Sequence, residues 1–109
     1  MPADAKVMLK NFCTVLNVKE EDVLSMTRLR NPTDARYILV TFLKNQFKGS
    51  YSFNVIGKWF NRSHCFVIEA EKKVNNLMSV DKEFRAKYRK CEDIAFFFDL
   101  SIYNYHPQY

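Results

Sequence analysis

The sequence predicts an all-α fold, a compact bundle of about five to six helices, on two grounds. Apolar residues recur every three or four positions along most of the chain, as they do on the buried face of a helix. The 109 residues include only 2 glycines and 3 prolines, fewer than a many-stranded β domain needs for its turns. With 48% hydrophobic residues the chain can bury one core, so we expect a single domain over residues 1–109.

The amino-terminal part is predicted to contain two helices and a basic loop. Apolar residues at helical spacing predict a first helix over roughly residues 4–17. A short second helix is predicted within residues 18–25, because acidic residues there favour the positive end of a helix. Two arginines separated by one residue, Arg28 and Arg30, then lie in a predicted loop, where they could simply be solvated charges.

A long third helix, about residues 32–47, is predicted to be the most buried element of the fold. Asn31 as the N-cap, Pro32 at the first helical position and Asp34 in the first turn mark its start. Apolar residues on one face of this helix should form the centre of the core. They are Ala35, Ile38, Leu39, Phe42 and Phe47, with Leu43 beside them.

Polar residues follow another side of the third helix at positions i, i+4, i+7 and i+11. They are Tyr37, Thr41, Lys44 and Lys48. This polar stripe could lie along a phosphate backbone, although an ordinary solvent-exposed face has the same pattern.

Residues 52–78 are predicted to form a helix-turn-helix. Val55, Ile56 and Phe60 give its first helix an apolar face, and apolar residues recur at helical spacing along the second, so both helices can share one core. Asn61 and Arg62 supply turn chemistry, and Ser63 is placed to cap the second helix. The same pattern also occurs in all-α domains that bind no nucleic acid.

The start of the second helix is where a DNA-binding helix-turn-helix contacts base edges in the major groove. In this sequence those positions are residues 63–66, which include His64. A net charge of +5 suits a polyanionic partner, although a small protein can be this basic for solubility alone. By itself, His64 is more typical of a histidine that bonds its own backbone at a helix start.

The carboxy-terminal part is predicted to contain one more helix and an aromatic tail. Ser79 is placed to cap a helix that begins at Val80. Residues 95–109 could continue that helix or become extended, since periodicity does not distinguish the two. Such an apolar tail must pack on its own domain or on a neighbour, so it could bind a protein partner or form a homodimer.

Cysteine and histidine usage argues against several other classes of protein. The three cysteines, Cys13, Cys65 and Cys91, are odd in number and widely spaced, which predicts a reduced, cytoplasmic compartment and no metal site. The two histidines, His64 and His106, form no acid, base and nucleophile set, so we expect no enzyme and no cofactor. No segment has the length and apolar character of a membrane span or an export signal.

Several short motifs occur in a fixed order between residues 8 and 93. The first, at residues 17–25, ends in a leucine–serine pair before the basic loop, and the second is Ala35-Arg36 with Ile38. The third set consists of Ser52-Phe53, Ile56-Gly57, Phe60, Arg62, His64, Val67, Ala70 and Lys72-Lys73-Val74. Together these motifs resemble the carboxy-terminal DNA-binding domain, domain IV, of the bacterial chromosomal replication initiator DnaA, which has a Trp-repressor-like helix-turn-helix.

This resemblance implies binding of double-stranded DNA, in replication initiation or its regulation. It implies a recognition helix in the major groove with His64 on base edges, Arg28 in the minor groove, and Arg36 and Lys44 on the backbone or groove edge. The resemblance and the residue pattern together predict these DNA contacts: Arg28, Arg30, Arg36, Tyr37, Lys44, Lys48, Arg62, Ser63, His64, Cys65, Phe66, Lys72 and Lys73.

The sequence also departs from the family pattern. Ser63, Cys65 and Phe66 stand where the family usually has an aspartate and two threonines. Because aspartate can accept from cytosine N4 and threonine can contact a thymine methyl, we expect a shallow sequence preference. No Walker-type phosphate loop is present, so the chain is either an excised domain or a free-standing relative.

The alternative function is a protein-interaction or dimerisation module without DNA binding. Trp59, Phe66 and the aromatic tail could form an apolar docking surface for such a module.

Overall fold

The computed structural model describes the backbone of residues 1–105 and the side chains of residues 1–95. Within residues 1–105 every regular element is a helix, which confirms the all-α prediction. The helices are α1 (Ala3–Leu16), α2 (Glu20–Leu24), α3 (Arg30–Gln46), α4 (Phe53–Trp59), α5 (His64–Val80) and α6 (Lys82–Tyr105).

Helix α3 is the centre of the bundle, as predicted, because it packs against all five other helices. Its fully buried apolar side chains include Ile38, Leu39 and Leu43. The Phe42 ring lies edge-on to Phe12 of α1 at 5.2 Å between ring centroids, in the geometry that aromatic pairs prefer. These contacts place α3 as the fixed element on which α4 and α5 rest.

The start of α3 differs from the prediction. The helix begins at Arg30 with Leu29 in the N-cap position, and no side chain caps it, so the assignment of Asn31 as N-cap is wrong. Asn31 lies within the first turn, and its Oδ1 accepts from Lys87 Nζ of α6 at 2.9 Å. Asp34 lies beyond the first turn, contrary to the prediction, and its buried carboxylate pairs with Arg30 of the same helix and with Lys87 of α6.

Helix α4, the turn of residues 60–63 and helix α5, together called the α4–turn–α5 unit, occupy the region predicted for two helices and a tight turn. Ser52 caps α4, since its hydroxyl accepts from the Val55 N–H at 3.3 Å. Ile56 and Phe60 are fully buried as predicted. Val55 is 38% exposed, so its assignment to the apolar face is wrong.

The turn of this unit depends on a close backbone approach. The Gly57 carbonyl accepts from the Phe60 and Arg62 N–H groups at 3.0 and 2.9 Å. Asn61 adopts the left-handed conformation with φ of 58°, which agrees with its predicted turn role. A Cβ on Gly57 would lie 2.6 Å from the Ser63 carbonyl oxygen, so α4 and the start of α5 can approach this closely only with glycine there.

The junction of α5 and α6 also differs from the prediction. Ser79 lies inside α5 and donates to the Asn76 carbonyl at 2.8 Å, so it is not the cap of the last helix. Asp81 takes that role, because its Oδ1 accepts from the Phe84 N–H at 3.0 Å, and this bond lowers the pKa of the Asp81 carboxyl.

The aromatic tail continues α6 as far as residue 105. Residues 106–109 and the side chains beyond residue 95 lie outside the described part of the chain, so its proposed docking role stays a prediction. Within residues 1–105 no helix is long and apolar enough to cross a membrane.

Candidate nucleic-acid interface

An open concavity of about 520 Å³ lies between loop 25–29, helix α3 and the beginning of α5. Three arginines and no carboxylate contribute to its lining, so it should carry a positive potential that favours an anionic ligand. The lining residues are Met26, Thr27, Arg28, Thr33, Arg36, Tyr37, Arg62 and Phe66. The structure therefore brings together Arg28, Arg36, Tyr37, Arg62 and Phe66 from the predicted DNA contacts.

The exposed residues at the beginning of α5 lie in the sequence between Arg62 and Phe66, which both line this concavity. Ser63, His64 and Cys65 are all exposed, as base-contacting residues must be. Ser63 occupies the N-cap position, but its side chain makes no capping hydrogen bond, contrary to the prediction, and is free for another contact. The His64 Nε2 and Cys65 Sγ atoms lie 3.8 Å apart at the positive end of the helix.

Arg36 is inside the protein, with only 3% of the residue exposed, whereas the prediction placed it on a DNA backbone or groove edge. Its guanidinium donates to four backbone carbonyls of α2 and loop 25–29. Burial lowers the pKa of Arg36, and the positive charge of nearby Arg62 lowers it further. Within the concavity Arg36 therefore holds backbone and presents little surface to a ligand.

Arg62 is half-buried between the turn of the α4–turn–α5 unit and loop 25–29. It donates from Nη1 to the Phe60 carbonyl at 2.8 Å and from Nη2 to the Ser25 carbonyl at 3.3 Å. Its guanidinium carbon lies 5.0 Å from the centre of the Phe66 ring, within the range of a cation–π contact. Burial lowers the pKa of this arginine as well.

Two aromatic rings form one wall of the concavity. Tyr37 and Phe66 stack with 5.9 Å between ring centroids and 27° between planes. Phe66 also packs near Phe60 of the core, at 6.4 Å between centroids. Because Phe66 is half-buried in these contacts, it offers only part of its ring to a base.

Arg28 is the exposed cation of the concavity. Its side chain is solvent-exposed, unlike those of Arg36 and Arg62. Arg28 is therefore accessible to a partner, and its predicted contact with a minor groove stays a prediction.

Lys44 lies farther along α3 and is paired with a carboxylate. Its ammonium contacts the Glu71 carboxylate of α5 and lies 5.6 Å from the centre of the Phe53 ring. Burial and the neighbouring Lys48 lower the pKa of Lys44. The polar stripe on α3 is interrupted, since Thr41 is only 5% exposed.

Arg30 is held away from the concavity by three carboxylates. It pairs with Asp34 at 3.3 Å, with Asp81 at 2.6 Å and with Glu83 at 3.2 Å. Asp81 and Glu83 lie at the junction of α5 and α6, so Arg30 serves to join α3 to that junction. Arg30 does not line the concavity, and its predicted contact with DNA stays a prediction.

The remaining predicted lysines are exposed but lie outside the concavity. Lys72 and Lys73 lie on α5, about 12 Å along its axis from His64 at about 1.5 Å per residue. Lys48 follows the end of α3. These lysines could extend a positive surface beyond the concavity.

Sequence reasoning missed four residues that shape this region. Met26, Thr27 and Thr33 line the concavity, and Glu71 holds Lys44. The contact between Glu71 and Lys44 joins two helices, so the spacing of residues along a single helix could not predict it. The loop position of Met26 and Thr27 beside Arg28 was the one available signal.

The aromatic residues predicted for protein docking are partly used inside the domain. Trp59 is half-buried and lies edge-on to Tyr51 at 5.3 Å and to Phe47 at 6.1 Å between ring centroids. Among the described side chains no three of His, Cys, Asp or Glu lie close enough to share a metal ion.

The chain is similar to a segment of the chromosomal replication initiator protein DnaA. It is 30% identical to DnaA of Mycoplasma genitalium over 82 residues, 75% of this chain. It is also 30% identical to DnaA of Bacteroides thetaiotaomicron over 88 residues, 80% of this chain. The matched segment makes up 18% of each relative, and no protein-family profile matches the chain. The chain therefore resembles one segment of DnaA and not the whole of that protein.

Proposed function

We propose that this chain is a DNA-binding module, and not an enzyme, that contacts double-stranded DNA through a helix-turn-helix. The α4–turn–α5 unit would place the start of α5 in a major groove, and loop 25–29 would place Arg28 against the adjacent minor groove. Similarity to a segment of DnaA supports a role in replication initiation or its regulation.

The observation that carries this proposal is the placement of Arg28 beside the exposed start of α5. Residues 63–65 are exposed, and the adjoining concavity has three arginines and no carboxylate in its lining. A cationic concavity next to an uncovered helix start fits a duplex, which presents phosphates on both sides of each groove. A duplex fits this site better than a small anion does, because the exposed surface of the protein continues from the concavity along α5.

The proposal predicts duplex binding that weakens steeply as salt increases. Titrating a fluorescent duplex at several salt concentrations should give a slope of about −2 to −4 for the logarithm of the binding constant against the logarithm of the salt concentration, since each phosphate contact contributes about −0.9.

Arg28→Ala should weaken binding more on A·T-rich than on G·C-rich duplexes, because a narrow minor groove concentrates negative potential.

Lys10→Ala is the matched control for this measurement, because Lys10 is exposed on α1, which packs against α2, α3 and α6. It should change the affinity little beyond its share of the net charge. Absence of duplex binding at about 50 mM salt, with the protein folded, would refute the proposed function.

A second prediction concerns the pair formed by Lys44 and Glu71. Glu71→Gln should tighten duplex binding and make the log-log salt slope more negative by about 0.9, because the freed Lys44 ammonium gains a phosphate contact. The free energy of unfolding should change by less than about 1 kcal/mol, since Glu71 is 43% exposed in this pair. Salt titrations and urea unfolding measure the two quantities.

Glu69→Gln provides the control, because Glu69 is exposed on the same helix and forms none of the ion pairs found among the described side chains. It makes the same change in charge without releasing Lys44. If both variants give the same salt slope, Lys44 does not reach a phosphate.

A further inference from the structure

The buried guanidinium of Arg36 holds the backbone before and within loop 25–29. Its Nε donates to the Val23 carbonyl at 2.7 Å, and its Nη2 donates to the carbonyls of Asp22 and Ser25, both at 3.0 Å. Its Nη1 donates to the Thr27 carbonyl at 3.3 Å. The last carbonyls of a helix have no partner within the helix, and here one planar side chain bonds two of those of α2, the carbonyls of Asp22 and Val23.

The same loop is held from the other side by the turn of the α4–turn–α5 unit. The Ser25 carbonyl accepts from Arg36 of α3 and from Arg62 of the turn. The two guanidinium charges repel one another, and the Ser25 carbonyl oxygen that both bond offsets part of that repulsion. Loop 25–29, α3 and the turn before α5 are thereby joined through one backbone oxygen.

Side chains within the loop fix its remaining backbone. The Ser25 hydroxyl accepts from the Thr27 N–H at 3.1 Å, and the Thr27 hydroxyl accepts from the Leu29 N–H at 3.3 Å. Arg28 lies between these two anchored residues, with its own side chain exposed. The backbone at Arg28 is therefore held in place while its guanidinium is free to bind.

We propose that Arg36 is a positioning residue for Arg28: it orders loop 25–29 against the turn before α5, so that Arg28 and the start of α5 meet one duplex together. This inference rests on the proposed DNA-binding function. Ordering the loop before binding removes part of the entropic cost of the complex. Arg36 thus acts on DNA affinity through Arg28 and not as a phosphate contact of its own.

Arg36→Lys separates these two roles, because lysine keeps the positive charge but cannot donate in a plane to four carbonyls. Affinities for an A·T-rich duplex are measured for the unchanged protein, Arg28→Ala, Arg36→Lys and the double variant. Arg28→Ala should weaken binding about fivefold or more in the unchanged protein and less than about twofold in the Arg36→Lys background. An equal loss in both backgrounds would overturn the proposal. Arg85→Lys is the matched control, because Arg85 is a half-buried arginine of α6 that donates to the Met78 carbonyl at 3.0 Å.

Amide hydrogen exchange on the free protein tests the ordering without DNA. Exchange of the Thr27 and Leu29 N–H groups should accelerate about tenfold in Arg36→Lys and remain unchanged in Arg85→Lys. If Arg36→Lys does not fold, Arg36→Gln replaces it in both measurements, since its planar amide has only two N–H donors for the four carbonyls. Unchanged exchange in the folded variant would overturn the proposal. Faster exchange in a protein that binds no duplex would instead refute the proposed function and leave the ordering of the loop established.

Discussion

Replacing Gly57 with alanine is expected to destabilise the domain by about 1–3 kcal/mol or more. The added methyl group would lie 2.6 Å from the Ser63 carbonyl oxygen and 2.8 Å from that of Arg62. Both atoms are backbone, so relief requires α4 to move away from the start of α5 rather than a side chain to rotate. Urea unfolding measures the loss, and duplex titration should show weaker binding under conditions in which the variant is folded.

Gly49→Ala is the comparison for this experiment. Gly49 has φ of 85°, and no atom lies within 4 Å of an added Cβ, so its cost is backbone strain alone, about 1 kcal/mol. It should destabilise the domain without changing duplex affinity, because it leaves the approach of α4 to α5 intact. Unchanged unfolding of Gly57→Ala would show that the turn can open at little cost and would contradict this account.

The sequence was informative about helices because apolar periodicity is a property of each segment alone. It located the long central helix and both helices of the α4–turn–α5 unit, and Asn61 has the turn conformation expected of it. Helix starts were less predictable, since a capping residue can bond elsewhere. Asn31 accepts from Lys87, 56 residues away, and no local rule shows that competition.

At the candidate interface, too, the sequence predicted features set by local pattern but not those set by contacts between distant residues. Arg28 and the start of α5 are exposed, as the loop and helix patterns indicated. Arg36 and Arg30 have the sequence appearance of free surface charges, because arginine is mostly exposed. Arg36 is instead buried, and Arg30 is exposed but held in ion pairs. Their partners are carbonyls of α2 and loop 25–29 in one case and carboxylates near α6 in the other, and only the folded chain brings these groups together.

Replacing Asp34 with alanine is expected to destabilise the domain by about 3 kcal/mol, at the lower end of the effect of breaking a buried ion pair. Its carboxylate bonds Lys87 Nζ at 2.8 Å, where the two side chains are 10% and 15% exposed, and Arg30 Nε at 3.3 Å. Removing it leaves the Lys87 ammonium mostly buried. The Asn31 Oδ1 contact to Lys87 and the Glu83 carboxylate, 3.9 Å from the ammonium, both remain and moderate the loss.

Replacing Lys87 as well distinguishes the loss of the Asp34–Lys87 ion pair from the loss of packing around Asp34. Adding Lys87→Met to Asp34→Ala removes an ammonium that has lost its closest carboxylate, so the double variant should be more stable to urea than Asp34→Ala alone. Arg30→Ala should cost about 1 kcal/mol or less, because that side chain is 50% exposed. If the double variant is less stable than Asp34→Ala, the Lys87 ammonium is not the source of the cost, and the carboxylate of Asp34 instead acts chiefly on α3 through Arg30.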